Sequence, residues 1–191
     1  FDRTAFLLAA KNGHSECAQM LMDAKADVTV CYRHGVTPLM LATVTGIADV
    51  QRLLDGKANV NASANFGETA LSWALRSGEV DCVQLLLNAK ANLNAQHEIF
   101  GRTPLIGASV MGVTACVQLL IGAGAKLEVK DREGATALNR AAYFGRTECL
   151  QLLIHAQANI NSKDNDGNTP LLSAVTRDHP ECAQLLIDAK A

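Results

Sequence analysis

Apolar residues in this chain come in paired short blocks with a glycine between them. The first block is rich in alanine, as in Leu7-Leu8-Ala9-Ala10 or Asn139-Arg140-Ala141-Ala142. The second carries a leucine pair, as at Leu85-Leu86, Leu119-Leu120, Leu152-Leu153 and Leu185-Leu186. Both blocks fit short helices buried along one face. The separating glycines are Gly13, Gly46, Gly78, Gly112 and Gly145, with Asp178 in that place in the last unit. Glycine tolerates the left-handed backbone that ends a helix. Before each first block stands a threonine followed by proline or alanine. Its hydroxyl can accept from free N–H groups of the first turn, where proline also fits. After each second block the chain runs through segments such as Ala-Asn-Val-Asn (58–61), Ala-Asn-Leu-Asn (91–94) and Ala-Asn-Ile-Asn (158–161). It then reaches a turn glycine at Gly35, Gly67, Gly101, Gly134 or Gly167.

The threonines that open these units are Thr4, Thr37, Thr69, Thr103, Thr136 and Thr169, spaced 32 to 34 residues apart. A fixed period of this size marks a solenoid. The Thr-Pro-Leu opening, alanine-rich helix, glycine, leucine-pair helix and Asn-Val-Asn loop together resemble the ankyrin repeat. The resemblance recurs six times and covers almost the whole chain. It implies an all-α solenoid of stacked antiparallel helix pairs with projecting β-hairpin-like fingers. The expected organisation is a single domain over 1–191, with repeats near 1–30, 31–61, 62–94, 95–128, 129–161 and 162–191. No repeat can bury its apolar face alone, so neighbours must stack. The start without methionine and the absence of polar capping repeats suggest a piece of a longer array or multidomain protein. On that reading Leu7, Leu21, Leu185 and Leu186 lie near open ends.

Several positions depart from the family pattern. The histidine that usually follows Thr-Pro-Leu is replaced by Leu7, Met40, Ser72, Ile106, Asn139 and Leu172. This puts the usual threonine–histidine tie between repeats in question. Ala-Lys-Ala stands at 24–26, 89–91 and 189–191 where Gly-Ala is usual, which either strains those turns or lengthens the helix slightly. The second repeat is one residue short near Leu53-Leu54-Asp55, and the third finger is one longer at His97-Glu98-Ile99-Phe100.

Charge and composition narrow the function. The 191 residues include 17 Lys and Arg against 19 Asp and Glu, a net charge of -2. That balance offers no basic stripe for phosphates, so nucleic acid is not an expected partner. No apolar run reaches the roughly 18 residues of a membrane span, and no signal peptide is visible at Phe1-Asp2-Arg3-Thr4. Cys17, Cys82, Cys116, Cys149 and Cys182 share one place in five second helices and read as small buried apolar residues. Packed helices sit ~8–10 Å apart, too far for a disulfide between row neighbours. This usage suits the cytoplasm or another reducing compartment. Cys31, beside Tyr32 and His34, is expected to be exposed, but one Cys and one His fall short of a metal site. No catalytic, phosphate-binding or metal motif is present. The expectation is no enzyme activity, no cofactor and no metal.

The expected role is a protein-interaction scaffold that binds a partner protein or peptide on a concave groove and fingers. The alternatives are a regulatory or targeting segment of a larger enzyme, channel or ubiquitin-ligase adaptor, or a structural subunit of a large assembly. The resemblance directs the residues just before each helix-ending glycine to the groove. Val44, Val110, Met111, Tyr143 and Phe144 stand there, flanked by Arg76, Arg140 and Arg177. Exposed aromatics and arginines are the composition of an interface hot spot. Tyr143 and Phe144 alternatively fold between repeats. Trp73, the only tryptophan, fits the groove or the core equally. Phe66 and Phe100 either project from neighbouring fingers or lie along them. The charged fingertips, Lys130-Asp131-Arg132-Glu133 and Lys163-Asp164-Asn165-Asp166, read as solvated. Asn61, Asn94 and Asn161 follow an aliphatic residue, where ankyrin asparagines can be β-hydroxylated; the plainer reading is that they bond their turn backbone.

Overall fold

The computed structural model describes residues 5–12, 14–24, 26–27 and 31–190. Thr4 and Gly13, which open and divide the first unit of the sequence pattern, lie outside them. The described residues form twelve α-helices, joined by turns and short 3-10 segments. Two compact units divide the chain, Phe1–Asn92 and Leu93–Ala191.

The first unit holds α1 (Ala5–Lys11), α2 (Ser15–Asp23), α3 (Pro38–Thr45), α4 (Ile47–Asp55), α5 (Ala70–Ser77) and α6 (Val80–Asn88). The second holds α7 (Pro104–Met111), α8 (Thr114–Gly122), α9 (Ala137–Tyr143), α10 (Thr147–His155), α11 (Pro170–Thr176) and α12 (Pro180–Asp188). Each odd helix packs on the even helix that follows it. In the first unit α1, α3 and α5 form one layer and α2, α4 and α6 another; in the second, α7, α9 and α11 face α8, α10 and α12.

The layers follow from the residues that fill them. Ala42 and Ala74, and in the second unit Ala108, Ala141 and Ala174, have no exposure at all. Their size lets the first helices approach closely. Leu53 and Leu86, then Leu120, Leu153 and Leu186, fill the layer behind them. Burying one such leucine contributes about 1.5–3 kcal/mol. Leu7 and Leu186, expected near open ends, are both buried, because each is covered within its own unit.

Helix starts are fixed locally. Thr37, Thr69, Thr103, Thr136 and Thr169 each accept a hydrogen bond from the backbone N–H three residues on. Such a cap is worth about 1 kcal/mol. Glycine is required at Gly145, where φ is 63° and an added Cβ would run into the His179 ring. Four of the described turns after second helices break the glycine rule, while Gly124 keeps it after α8. Lys57, Lys90, Gln157 and Lys190 all sit near φ +65°. A left-handed conformation costs a non-glycine residue roughly 1–2 kcal/mol. The strain expected at the Ala-Lys-Ala turns is therefore present at Lys90 and Lys190, while Lys25 lies outside the described residues.

The fingers are tighter than hairpins. Among the described residues the one bridge outside helices is antiparallel, Ser63 with Thr69. Each finger is otherwise a turn closed by a backbone bond, such as Asp131 N to Ala135 O or Asp164 N to Asn168 O.

Two side-chain devices tie repeats together. In α9 the missing histidine is replaced by Asn139, whose Oδ1 accepts from Thr136 N and Thr136 Oγ1 at 3.1 and 2.7 Å. Its Nδ2 donates to Ser162 O at 3.0 Å and Asn168 O at 3.4 Å, in the next repeat. At Met40 and Ser72 the side chain instead turns back on its own cap, taking a bond from Thr37 N or Thr69 N. The second device is a ladder along the loops. Asn61 Oδ1 accepts from Asn92 N at 2.7 Å, Asn94 Oδ1 from Lys126 N at 3.1 Å, and Glu128 Oε1 from Asn159 N at 2.8 Å. The bonds of Asn61 and Asn94 thus reach the following repeat rather than only their own turn.

Asn139 is 2% exposed. Replacing it with alanine removes the partner of the Ser162 carbonyl and of the Thr136 N–H, and one of the two bonds at the Asn168 carbonyl. Asn139→Ala is expected to destabilise the chain by about 2–4 kcal/mol, read from the urea midpoint of the full chain. A change under about 0.5 kcal/mol would mean that the tie carries no weight.

Candidate protein-binding surface

The predicted site residues divide between the two units. In the first, Val44 is 60% exposed near the end of α3, and Phe66 is 53% exposed at a fingertip. Trp73 is half-buried on α5, and its Nε1 donates to Glu68 Oε2 at 3.1 Å. Arg76 pairs with the other Glu68 oxygen at 2.5 Å and lies over the indole at 5.2 Å. One carboxylate thus holds an arginine and a tryptophan side by side. Trp73 and Arg76 stand out in the sequence as site candidates, whereas Glu68, immediately before the capping Thr69, does not.

In the second unit Tyr143 and Phe144 end α9, half-buried, with ring centroids 5.0 Å apart in edge geometry. Arg177, on the turn after α11, stacks over Tyr143 at 4.0 Å. These three residues form one cluster, open to solvent on one side. At the end of α7, Met111 is exposed and Val110 half-buried. The carbonyls of Val110 and Tyr143 are each met from the following helix pair, by Arg146 Nε at 3.1 Å and by the His179 ring at 3.2 Å. Phe100 projects from its finger at 51% exposure, with Arg102 over its ring at 5.1 Å and His97 at 5.3 Å.

Arg140 is not a surface arginine. It is 6% exposed, and its Nε and Nη2 reach Asp131 Oδ2 at 2.7 and 2.6 Å. Nη2 also donates to Glu133 Oε2 at 2.8 Å. Burial alone would lower its pKa, but hydrogen bonds to Glu133 and Asp131 outweigh this and hold it above the usual arginine value. Asp131, expected to be solvated, is correspondingly buried, with its Oδ1 accepting from Glu133 N and Ala135 N. Losing either partner alone would strand a buried charge, at about 3–5 kcal/mol. The fifth finger is therefore locked to α9 by an ion pair that reads in the sequence as ordinary surface charge.

The geometry is a repeated helix pair with a capped threonine start, a turn finger and an exposed or half-buried position at the end of the first helix. A family model described as ankyrin repeats (3 copies) matches residues 1–64, 47–131, 88–164 and 108–191. The chain belongs to the ankyrin-repeat family. An ankyrin-repeat domain from Acinetobacter baumannii superposes with a TM-score of 0.89 at 31% identity, covering 97% of both chains. The human ASB11 ankyrin-repeat domain gives 0.88 at 25%, over 99% of this chain and 85% of that one. A chain in the complex of a Bdellovibrio bacteriovorus predatory endopeptidase with its immunity protein gives 0.87 at 25%, over 98% and 99%. Among curated proteins, the probable E3 ubiquitin-protein ligase XBOS31 of rice is 35% identical over 94 residues, which is 48% of this chain and 21% of the rice protein. The human ankyrin repeat and KH domain-containing protein 1 is 35% identical over 98 residues, 50% of this chain and 4% of that protein. The chain thus matches only a minor part of these curated relatives. Ankyrin domains are protein–protein interaction scaffolds, and the fold is typically a non-catalytic module.

In this ankyrin chain four of the aligned cysteines, Cys82, Cys116, Cys149 and Cys182, are buried and unbonded. Burial pushes their thiols above the ordinary range. Cys17 was expected to join them but is exposed. The reason is directional. Cys149 and Cys182 face back onto Thr114 and Thr147 of the preceding helix pair, and no described residues precede α1 to cover Cys17 in that way. Cys31 is exposed, as expected. Among the described residues no group of three or more His, Cys, Asp or Glu is arranged to hold a metal, and no helix is long and apolar enough to cross a membrane. At pH 8 a thiol reagent should label Cys17 and Cys31 within minutes, and the other four only after denaturant is added. Mass mapping of labelled peptides checks this, and rapid native labelling of Cys116 or Cys149 would contradict the burial.

Proposed function

We propose that the chain holds a partner protein or peptide through the ends of its first helices and its fingertips, and that it performs no catalysis itself. The observation that carries this reading is the exposure of apolar and aromatic side chains where packing does not call for them. Val44, Phe66, Phe100 and Met111 are all at least 40% exposed. Tyr143, Phe144 and Arg177 add an aromatic cluster capped by an arginine, with Trp73 and Arg76 its counterpart in the first unit. Aromatic and arginine residues dominate interface hot spots, and rigid rings lose little entropy when they dock. Val110 belongs to this set as a half-buried neighbour of Met111. Arg140 belongs only indirectly, as the residue that fixes the fifth finger.

A second reading has a specific observation behind it. The 35% identity to a segment of a probable rice ubiquitin ligase supports a targeting segment within a larger protein. The partner would then be a substrate or regulator of that larger protein. The unbonded cysteines favour a reducing, cytoplasm-like compartment. β-Hydroxylation of Asn61, Asn94 and Asn161 remains part of the proposal, because the three side chains lie on exposed or half-exposed loops. The gain of one oxygen on any of these peptides, measured by mass spectrometry of cell-derived protein, supports it; unmodified peptides throughout overturn it.

The binding surface is tested by the double variant Tyr143→Ala, Phe144→Ala. It should lose partner capture by at least tenfold in affinity purification with quantitative mass spectrometry, as expected when central aromatics are truncated. Its helical circular dichroism should stay unchanged. Undiminished capture by the folded variant would move the site elsewhere.

A further inference from the structure

The fifth and sixth repeats carry the same pair of finger acids, but only the fifth carries their arginine. Asp131 and Glu133 stand 33 residues before Asp164 and Asp166, and Arg140 stands 33 before Ser173. In the fifth repeat the guanidinium joins both acids. In the sixth no cation lies within ion-pair distance of Asp164 or Asp166 among the described residues, and a cleft of about 350 Å³ opens there. Asp164, Asp166, Asn168 and Ser173 line it, together with Tyr143 under the stacked Arg177 and with Glu133 and Arg140, which are already paired with each other.

The acids are held as their counterparts are. Asp164 Oδ1 accepts from Asp166 N at 3.0 Å and Asn168 N at 2.8 Å, as Asp131 Oδ1 accepts from Glu133 N and Ala135 N. Oδ2, the atom that receives arginine in the fifth repeat, takes only a long 3.3 Å contact from Asn168 Nδ2. A carboxylate oxygen can accept more than one such bond. The second observation is independent of the acids. Ser173 is 6% exposed, lines the cleft, and its hydroxyl has no hydrogen-bond partner among the described residues. Polar groups on side chains this buried are normally bonded within the protein; this hydroxyl opens onto the cleft instead, where an entering polar group can reach it.

We propose that the cleft of the sixth repeat receives an arginine side chain of the partner polypeptide, in the place that Arg140 fills from within the chain one repeat earlier. The inference rests on the reading that the chain binds a polypeptide, and it names the chemistry recognised. Arginine is specified over lysine because the internal pair is a fork: Nε and Nη2 together hold Asp131 while Nη2 also reaches Glu133, a geometry that an ammonium point charge does not reproduce.

The test titrates the isotope-labelled full chain with acetyl-Gly-Arg-Gly-amide, followed by NMR. Amide shifts should concentrate at 164–168 and 173, and should be lost when citrulline replaces arginine. The lysine peptide should bind about fivefold more weakly, and Asp166→Asn should weaken arginine binding by about fivefold, the range for a partly exposed charge-assisted bond. Ser173→Arg should fill the cleft from within and abolish the shifts, with unchanged circular dichroism. Asp166 is exposed, so its variant tests the site even where Ser173→Arg does not fold. Shifts absent, or equal with citrulline or in Asp166→Asn, overturn the inference. A displayed random-peptide library separates the two levels. Selected peptides that bind wild type and Ser173→Arg alike, without arginine, sink the cleft and leave polypeptide binding standing. A library from which nothing binds the folded chain counts against polypeptide binding and the cleft together.

Discussion

Everything in this chain depends on the fact that a short helix pair cannot bury its own apolar faces. Helices of seven to nine residues are too short to hold themselves in water. Each must give its alanine or leucine face to a neighbour. That constraint explains why the same alanines, leucines and capping threonines return every 32 to 34 residues. It also explains why the polar ties run from one repeat to the next. The Asn139 amide and the Asn61, Asn94 and Glu128 ladder fix how far each repeat can slide on its neighbour.

The same constraint made the fold readable. The threonine caps, the alanine layer and the leucine layer are local or periodic features, and periodic features survive without knowledge of the three-dimensional context. What was not readable was pairing across a turn. Arg140 has the charge of a surface residue and the burial of a core residue, and only the approach of Asp131 decides between them. Asp131 in turn is drawn inward by two backbone N–H groups of its own finger. The fingertip therefore looks in sequence like a solvated run, while one of its acids, Asp131, sits in an ion pair with almost no access to water. Cys17 failed in the opposite way. It shares its register with four buried cysteines, but the surface that buries the others belongs to the preceding pair.

The candidate site was legible in outline and not in detail. Tyr143, Phe144, Met111 and Val44 are exposed or half-exposed because they occupy a position the core does not claim, and that follows from the repeat register. The role of Glu68 does not follow from register. It becomes evident only when Trp73 and Arg76, one turn apart on α5, converge on a single carboxylate. Sequence spacing announces the helix face and leaves the partner from the finger unstated.

One register position shows how such a scaffold acquires specificity without altering its core. The residue four after the capping threonine is Trp73, Arg140 or Ser173 in three of the repeats. Each side chain faces the finger rather than the alanine layer, so its size and charge answer to the finger and not to the core. Trp73 takes an acid from the finger as a hydrogen-bond acceptor, and Arg140 takes two as counter-ions. Ser173 takes none, and leaves the acids of its finger unmatched beside open space. The backbone is the same in all three, since the threonine cap and the finger turn are set by groups that do not change. Variation at this position therefore alters what the surface offers to a partner, at little cost to the alanine and leucine layers, provided that the finger acids change with it. A solenoid of this kind can keep its core constant while its recognition chemistry differs from one repeat to the next.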